Sequence, residues 1–382
     1  MDLDTFLKKF HSKDHPGHYN TFQHFLNNTQ VRIGNKMRQL KEYCADKKIT
    51  AADIKLLYDN ICNRDEYLTR FYNLSLRIQP DKTHFNVPGV MPMKNNELNN
   101  NQCTFYKNII RNLHFKDILQ NTKSGLENIP TYMDMLLDIY LHNIIDYKIL
   151  TPSAIFYMKN GRLGSVFSSY YFRASILNPY LVYSLNMSVL HGTKIFTPTL
   201  GWSSYCYGFL ECPNVIEYVG TDVIPDVCEK TKTFANNHPS NAMVKIYCKP
   251  SEDLLGLKTF VKNYTSYFDV VFFSPPYYRL ELYEGANQST NKYKTYEEWL
   301  DKYWENTIKL CHTVLETNGK LCYILSGYGS DNTKEQYDLV NDMNNITKKY
   351  FKLKSTQPMF NKNVHVTAHK ETGEKIMVFT KK

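Results

Sequence analysis

Phe268-Asp-Val-Val-Phe-Phe-Ser274-Pro275-Pro276-Tyr277 is the stretch that decides how this 382-residue chain is read. Its first six residues form an apolar run of strand length, rich in Val and Phe, and two prolines stop it. Proline fixes its own backbone and has no N–H, so the ladder ends there and carbonyl oxygens can turn into a site as acceptors. A Ser/Asp/Asn-Pro-Pro-aromatic string arises by chance in roughly one or two such chains per hundred, given proline at about 5% of residues. A rigid turn after a buried strand gives the same letters, so the flanking sequence has to decide between the two.

From Lys194 onward, short β-rich runs alternate with helical stretches: KIFTPTL, EYVGTD, VKIYC, YFDVVFFS, KLCYILS and KIMVFTK. Strands separated by helices at this spacing imply an α/β fold, a doubly wound and mostly parallel Rossmann-like sheet. Ligands of such sheets sit at the carboxyl ends of the central strands, where the Ser-Pro-Pro-Tyr string falls. Downstream, Thr295-Tyr-Glu-Glu298 is a capping box opening the helix EEWLDKYWENTIKLCHTVL. Trp299, Tyr303, Cys311 and Val314 are the apolar, core-facing side of that helix, and Glu316-Thr-Asn-Gly319 is the turn into the next strand.

On these residues the chain resembles the S-adenosylmethionine-dependent amino-methyltransferases of nucleic acids, in which a [DNS]-P-P-[YFW] motif closes the fourth strand. The resemblance spans roughly residues 165–382, with the cofactor region preceding the Pro-Pro motif, as in the family's cofactor-first arrangement, and Phe172–Pro179 resembles a segment of its phage-type and large-virus members. It implies that Ser274, Pro275, Pro276 and Tyr277 are catalytic. The Ser274 hydroxyl and the Pro275 carbonyl would accept hydrogen bonds from a base amino group, and Tyr277 would stack on a flipped-out base. Transfer is direct, with no covalent nucleophile, and no Pro-Cys-Gln of the cytosine-C5 type is present. Tyr278 opens what looks like the post-catalytic loop and is expected to touch substrate.

Upstream, Lys194-Ile-Phe-Thr197-Pro198-Thr-Leu-Gly201-Trp202-Ser203 is similar to the family's cofactor motif. The expected S-adenosylmethionine-binding residues are Thr197, Pro198, Gly201 and Trp202. Glycine allows close approach at the strand-to-helix turn. Thr197 stands where the family has an acidic residue facing the methionine ammonium, and Ser203 where it has a second glycine. Asp222, ending the next strand, suits ribose hydroxyls. Glu252 and Asp253, ending the third, are expected near adenine. Arg173 and Asn178, in a segment resembling one that precedes the cofactor motif, are expected at the substrate. No metal site is expected.

The function implied is methyl transfer to N6 of adenine or N4 of cytosine in DNA, with base flipping. An RNA or mRNA-cap adenine methyltransferase is the alternative enzyme. Taken literally, the Thr197 and Ser203 departures describe a cofactor-deficient scaffold subunit that binds nucleic acid. Basic residues exceed acidic ones, 46 − 37 = +9, which suits a polyanion. Nine cysteines without a C-x-x-C pair read as reduced thiols. No run approaches the ~20 apolar residues of a membrane span, and the N-terminus lacks a signal-peptide core. A soluble cytoplasmic or nuclear protein is expected, with no membrane partner.

The domains expected are a helical region at 1–79, with a capping box at Thr50-Ala-Ala-Asp53, a linker at 80–105 containing Pro80, Pro88 and Pro92, a helical segment at 106–150, and the methyltransferase domain at 151–382. Asn160-Gly161 reads as the type I′ turn of a β-hairpin between IFYMK and RLGSVFSSYYF. The helical region, whose cations include Arg32, Lys36, Arg38, Lys41, Lys47 and Lys48, is expected to hold phosphates; a homo- or heterodimer interface is the competing role. Charge reversal at Lys36, Arg38 and Lys41 separates the two. Phosphate contacts predict a salt slope shrinking by about 0.9 per lost contact on duplex DNA. An unchanged slope with an altered oligomeric mass means an assembly surface.

Overall fold

The computed structural model describes residues 3–9, 21–63, 89–125, 129–162, 166–167, 170–328, 337–360 and 371–381. Seven strands form one sheet: β1 (Lys194–Thr197), β2 (Glu217–Asp222), β3 (Met243–Cys248), β4 (Phe268–Phe273), β5 (Leu315–Leu325), β6 (Phe351–Phe360) and β7 (Glu371–Lys381). Their order is β6-β7-β5-β4-β1-β2-β3. The five strands β1 to β5 run parallel, and β7 runs against both of its neighbours. This is the doubly wound α/β arrangement the sequence implies, with an antiparallel pair added at one edge. The chain leaves β1 toward β3 and returns to β4 on the other side of β1, so the topological switch point lies between β1 and β4.

Strands covered by helices on both faces read as unbroken apolar runs. Accordingly Ile195, Phe196, Val270, Val271, Phe272 and Phe273 are all buried. Asp269 interrupts the run in β4 and fixes its register on β1. Its carboxylate accepts hydrogen bonds from Thr193 N (2.8 Å), Thr193 Oγ1 (2.6 Å) and Lys194 N (3.0 Å). Ile195 is thereby paired with Val270. Trp299, Tyr303, Cys311 and Val314 are buried as expected. Thr295 caps their helical run, its Oγ1 accepting from Glu298 N at 3.1 Å. The reciprocal bond of the expected capping box is replaced: the Glu298 carboxylate accepts from Lys294 N (3.0 Å) instead of Thr295 N. The turn at 316–319 is an irregularity at the start of β5, with Asn318 at φ +67°.

The chain divides into two compact units, Met1–Arg77 with Phe115–Ala174, and Ile78–His114 with Ser175–Lys382. The sheet-bearing unit therefore starts later than residue 151 and takes in a stretch read as linker and helix. Hydrogen bonds explain the capture. The helix α1 (Pro179–Leu185) presents Tyr180, whose hydroxyl donates to Met91 O (2.6 Å), and Ser184, whose Oγ accepts from Met93 N (3.0 Å). Pro80 and Pro88 lie outside the described residues.

The smaller unit is not purely helical, as residues 1–79 were expected to be. Gln30–Ile33 and Lys36–Gln39 form an antiparallel hairpin around Gly34 (φ +60°), and Gln30–Ile33 also pairs in parallel with Ile144–Asp146. Val31 and Ile33 alternate with polar residues, a two-residue period too short to stand out. The Thr50/Asp53 capping box does open the helix Ala51–Cys62; the helical reading beyond Asn63 lies outside the described residues. Arg32, counted among the basic residues, forms a two-pronged pair with Asp138 (2.7 and 2.8 Å), and Arg38 pairs with Asp46.

The expected hairpin at Asn160-Gly161 is instead the end of a helix, Pro152–Lys159. Thr151 caps its start and Pro152 takes the first position. Gly161 (φ +69°) donates to Met158 O and Arg162 to Tyr157 O, the paired bonds of a Schellman stop. Among the described residues no helix is long and apolar enough to cross a membrane.

Helix α2 (Ser204–Leu210) lies against α1 through Gly208. A Cβ there would stand 2.5 Å from Val182 Cβ and 2.6 Å from Pro179 O. Gly208→Ala is expected to lower stability by about 1–3 kcal/mol through overpacking, measurable by urea denaturation. A variant as stable as the wild type would show that the two helices separate without cost.

Candidate functional site

A cleft of about 290 Å³ opens at the switch point and is built from the sheet-bearing unit alone. The turn after β1 supplies Pro198, Gly201 and Trp202, β2 supplies Asp222, β4 runs into Ser274–Tyr277, and the segment Ser175–Leu177 closes one side.

The turn is held by its backbone. Gly201, Trp202 and Ser203 are three successive residues at φ +52°, +58° and +67°, a conformation that favours glycine. At Gly201 a Cβ would lie 2.2 Å from the Tyr205 ring. Tyr205 uses that space to reach across to β4: its hydroxyl accepts from Ser274 N (3.0 Å) and donates to Ser274 O (3.3 Å). Ser203, in place of a second glycine, is buried and structural. Its Oγ bonds His114 Nε2 (2.8 Å) and Thr231 Oγ1 (2.7 Å).

Ser274 and Tyr277 are fixed from β5. Ser274 Oγ donates to Ile324 O (3.3 Å), which leaves its lone pairs available to a donor in the cleft. Tyr277 Oη accepts from Ser326 N (2.6 Å) and lies 3.1 Å from Ser326 Oγ, holding its half-buried ring in the wall. Pro275 and Pro276 line the cleft between them.

Asp222 ends β2 with both oxygens engaged. Oδ1 accepts from Val223 N (2.8 Å) and Ile224 N (3.1 Å), and Oδ2 accepts from Leu200 N (3.1 Å). Burial raises its pKa and the three N–H groups lower it, with burial the stronger effect. Glu252 also lines the cleft, its Oε1 2.9 Å from Lys292 Nζ; burial raises its pKa against that pairing.

Five expected site residues are placed elsewhere. Thr197 is fully buried beneath the turn, its hydroxyl 2.6 Å from Tyr218 Oη, because a short side chain at the strand end packs into the sheet. Asp253 is drawn away by Lys292 (3.0 Å). Tyr278 is core: its hydroxyl donates to Lys294 O, and its ring packs against Tyr296 and Trp299. Asn178 caps α1 and donates to Gln102 O (2.7 Å). Arg173 is an exposed residue of the smaller unit.

Three cleft residues carried no sequence signal. Glu281 accepts hydrogen bonds from Ser175 N (2.8 Å) and Tyr283 Oη, and burial raises its pKa. Glu374 reaches the cleft from β7 and is also raised by burial. Tyr303, read as core, is buried yet lines the cleft, and its hydroxyl has no hydrogen-bond partner among the described residues. An orphaned buried hydroxyl costs about 1–3 kcal/mol and calls for a bound partner.

No family model matches the chain, and no curated protein matches it. Among solved structures, N-methyltransferase NodS from Bradyrhizobium japonicum WM9, in complex with S-adenosyl-l-homocysteine, is similar at TM-score 0.34 and 11% identity, over 53% of this chain and 83% of its own. TrmN from Thermus thermophilus is similar at TM-score 0.36 and 11% identity, over 54% of this chain and 49% of its own. Both likenesses are weak, and it is the strand order and the cleft that define the fold.

Burial holds His114 neutral, with its pKa lowered to about 3. Its folded pKa lies below the unfolded value of about 6.5, so its contribution is complete above pH 6.5 and is lost as the pH falls toward 3. Wild-type stability is expected to drop by up to roughly 1.4 kcal/mol per pH unit below about pH 6 from this group alone. His114→Gln removes that part of the slope. Urea titrations of both proteins at several pH values test this, and parallel curves would refute it.

Proposed function

We propose that this chain transfers a methyl group from S-adenosylmethionine to the exocyclic amino group of a nucleic-acid base, at N6 of adenine or N4 of cytosine, with DNA as the favoured substrate. The observation that carries the reading is the Tyr205 bridge. It ties the Gly201 turn to Ser274, so that a backbone-lined turn and the acceptor motif face one cleft.

The residues present fit the cofactor. The orphaned Tyr303 hydroxyl, the spare acceptor capacity of Asp222 and the Cβ-free approach at Gly201 are complementary to a ligand carrying ribose hydroxyls and an adenine ring. When bound, S-adenosylmethionine supplies an electrophilic methyl group on a sulfonium. Asp222 and Tyr303 would hold the nucleoside end. Ser274 Oγ, whose own hydrogen is engaged by Ile324 O, would accept one hydrogen of the target amine, and the Pro275 carbonyl the other. That arrangement aims the nitrogen lone pair along the transfer direction. Tyr277, fixed through its hydroxyl, offers a ring already held in place for stacking, so little side-chain entropy is lost when a base arrives. The net charge of +9 supports a polyanionic substrate.

Incubating the protein with labelled cofactor and either DNA or RNA, then identifying methylated nucleosides by mass spectrometry, tests the reading and separates the two nucleic acids. Ser274→Ala and Tyr277→Ala are each expected to lower turnover by about a hundredfold, because the amine is no longer oriented, while cofactor binding persists. Near-normal turnover in both variants would remove the motif from the reaction.

A further inference from the structure

Four carboxylates reach the cleft: Asp222, Glu252, Glu281 and Glu374. Asp222 is compensated by three backbone N–H groups and Glu252 by Lys292, and Glu374 feels the charge of Lys107. Glu281 differs. Its partners are the backbone N–H and side chain of Ser175 and the hydroxyl of Tyr283, and no Lys, Arg or His among the described residues pairs with it. A carboxylate taken out of water without a cation is costly, so its charged form awaits a positive ligand. A carboxylate has about four acceptor sites, so these partners leave capacity for a further donor.

Its position says which part of a ligand would meet it. Tyr283, bonded to Glu281, packs its ring 5.7 Å from that of Trp202 in the turn after β1. Ser175, its other partner, belongs to the segment that closes the cleft beside that turn. Glu281 and the turn after β1 thus line the same cleft, joined through Tyr283. Thr197, which stands at the position of the familiar motif's acidic residue, is neutral and already bonded to Tyr218.

We infer that Glu281 is the receptor for the α-ammonium group of the cofactor's amino-acid moiety. The assignment rests on the cofactor reading above. Of the two cationic centres of S-adenosylmethionine, the ammonium alone carries hydrogens to donate, and the lone pairs left on Glu281 call for a donor. The raised pKa of Glu281 agrees with a carboxylate that lacks its cation in the ligand-free protein. Two donors on a carboxylate fix its plane, so Tyr283 and Ser175 act as positioning groups.

Calorimetry with S-adenosylhomocysteine and with 5′-methylthioadenosine, which keeps the nucleoside and lacks the amino acid, reads this contact without turnover. For Glu281→Gln, S-adenosylhomocysteine is expected to bind at least about tenfold more weakly, the scale of one hydrogen bond to a charged group, with methylthioadenosine unchanged. Equal losses for both ligands, or no loss for either, overturn the assignment. If Glu281→Gln does not fold, the wild-type protein decides. S-adenosylhomocysteine should outbind its deaminated analogue by the same factor, and equal affinities overturn the assignment. A wild-type protein that binds neither S-adenosylhomocysteine nor methylthioadenosine removes the cofactor reading, and the role of Glu281 with it.

Discussion

The contact on which the site depends is the one between the Tyr205 ring and the bare backbone of Gly201. Any side chain at 201 would displace that ring, and with it the hydroxyl that bonds both the N–H and the carbonyl of Ser274. Through this single aromatic residue the turn after β1 sets the position of the motif after β4. β5 fixes the motif from the other side, through Ile324 O and Ser326. Three neighbouring strands thus converge on one tetrapeptide. At the opposite end Asp269 ties β4 to β1, its carboxylate accepting from the Thr193 and Lys194 N–H groups.

Beneath the turn, residues that depart from a familiar cofactor motif have structural duties. Ser203 joins His114 to Thr231 in a buried network, and Thr197 bonds Tyr218 within the sheet. Such networks strengthen in a low dielectric and hold a strained backbone in place. Of the three successive left-handed residues, the two that are not glycine are buried, Trp202 by its ring and Ser203 in its bonds to His114 and Thr231. The departures alter what supports the turn while the turn itself still opens onto the cleft.

Charge in the cleft follows from burial more than from pairing. Asp222, Glu252, Glu281 and Glu374 all have raised pKa values with burial as the leading cause. Four acids lining one cleft disfavour anions and favour a ligand carrying positive charge, an ordering the overall excess of basic residues does not reveal.

Sequence by itself determined the sheet and the motif at its centre. Unbroken apolar runs such as Val270–Phe273 can only be buried on both faces, and prolines at 275 and 276 can only end such a strand. Strong local rules also placed the Thr50 and Thr295 caps. Local rules misled where two structures share a signal: Asn160-Gly161 suits both a hairpin turn and a helix stop, and here Thr151-Pro152 upstream makes it the stop. The converse held at Gly34-Asn35, which does turn a hairpin inside a segment read as helix. Tertiary structure alone decided which polar residues face the cleft. Asn178, Tyr278, Asp253 and Thr197 are adjacent to it in sequence yet bonded elsewhere, while Glu281, Glu374 and Tyr303 come from a two-residue strand, an interior strand and a helix read as core. Side-chain direction depends on partners far away in the chain, and no spacing rule encodes them.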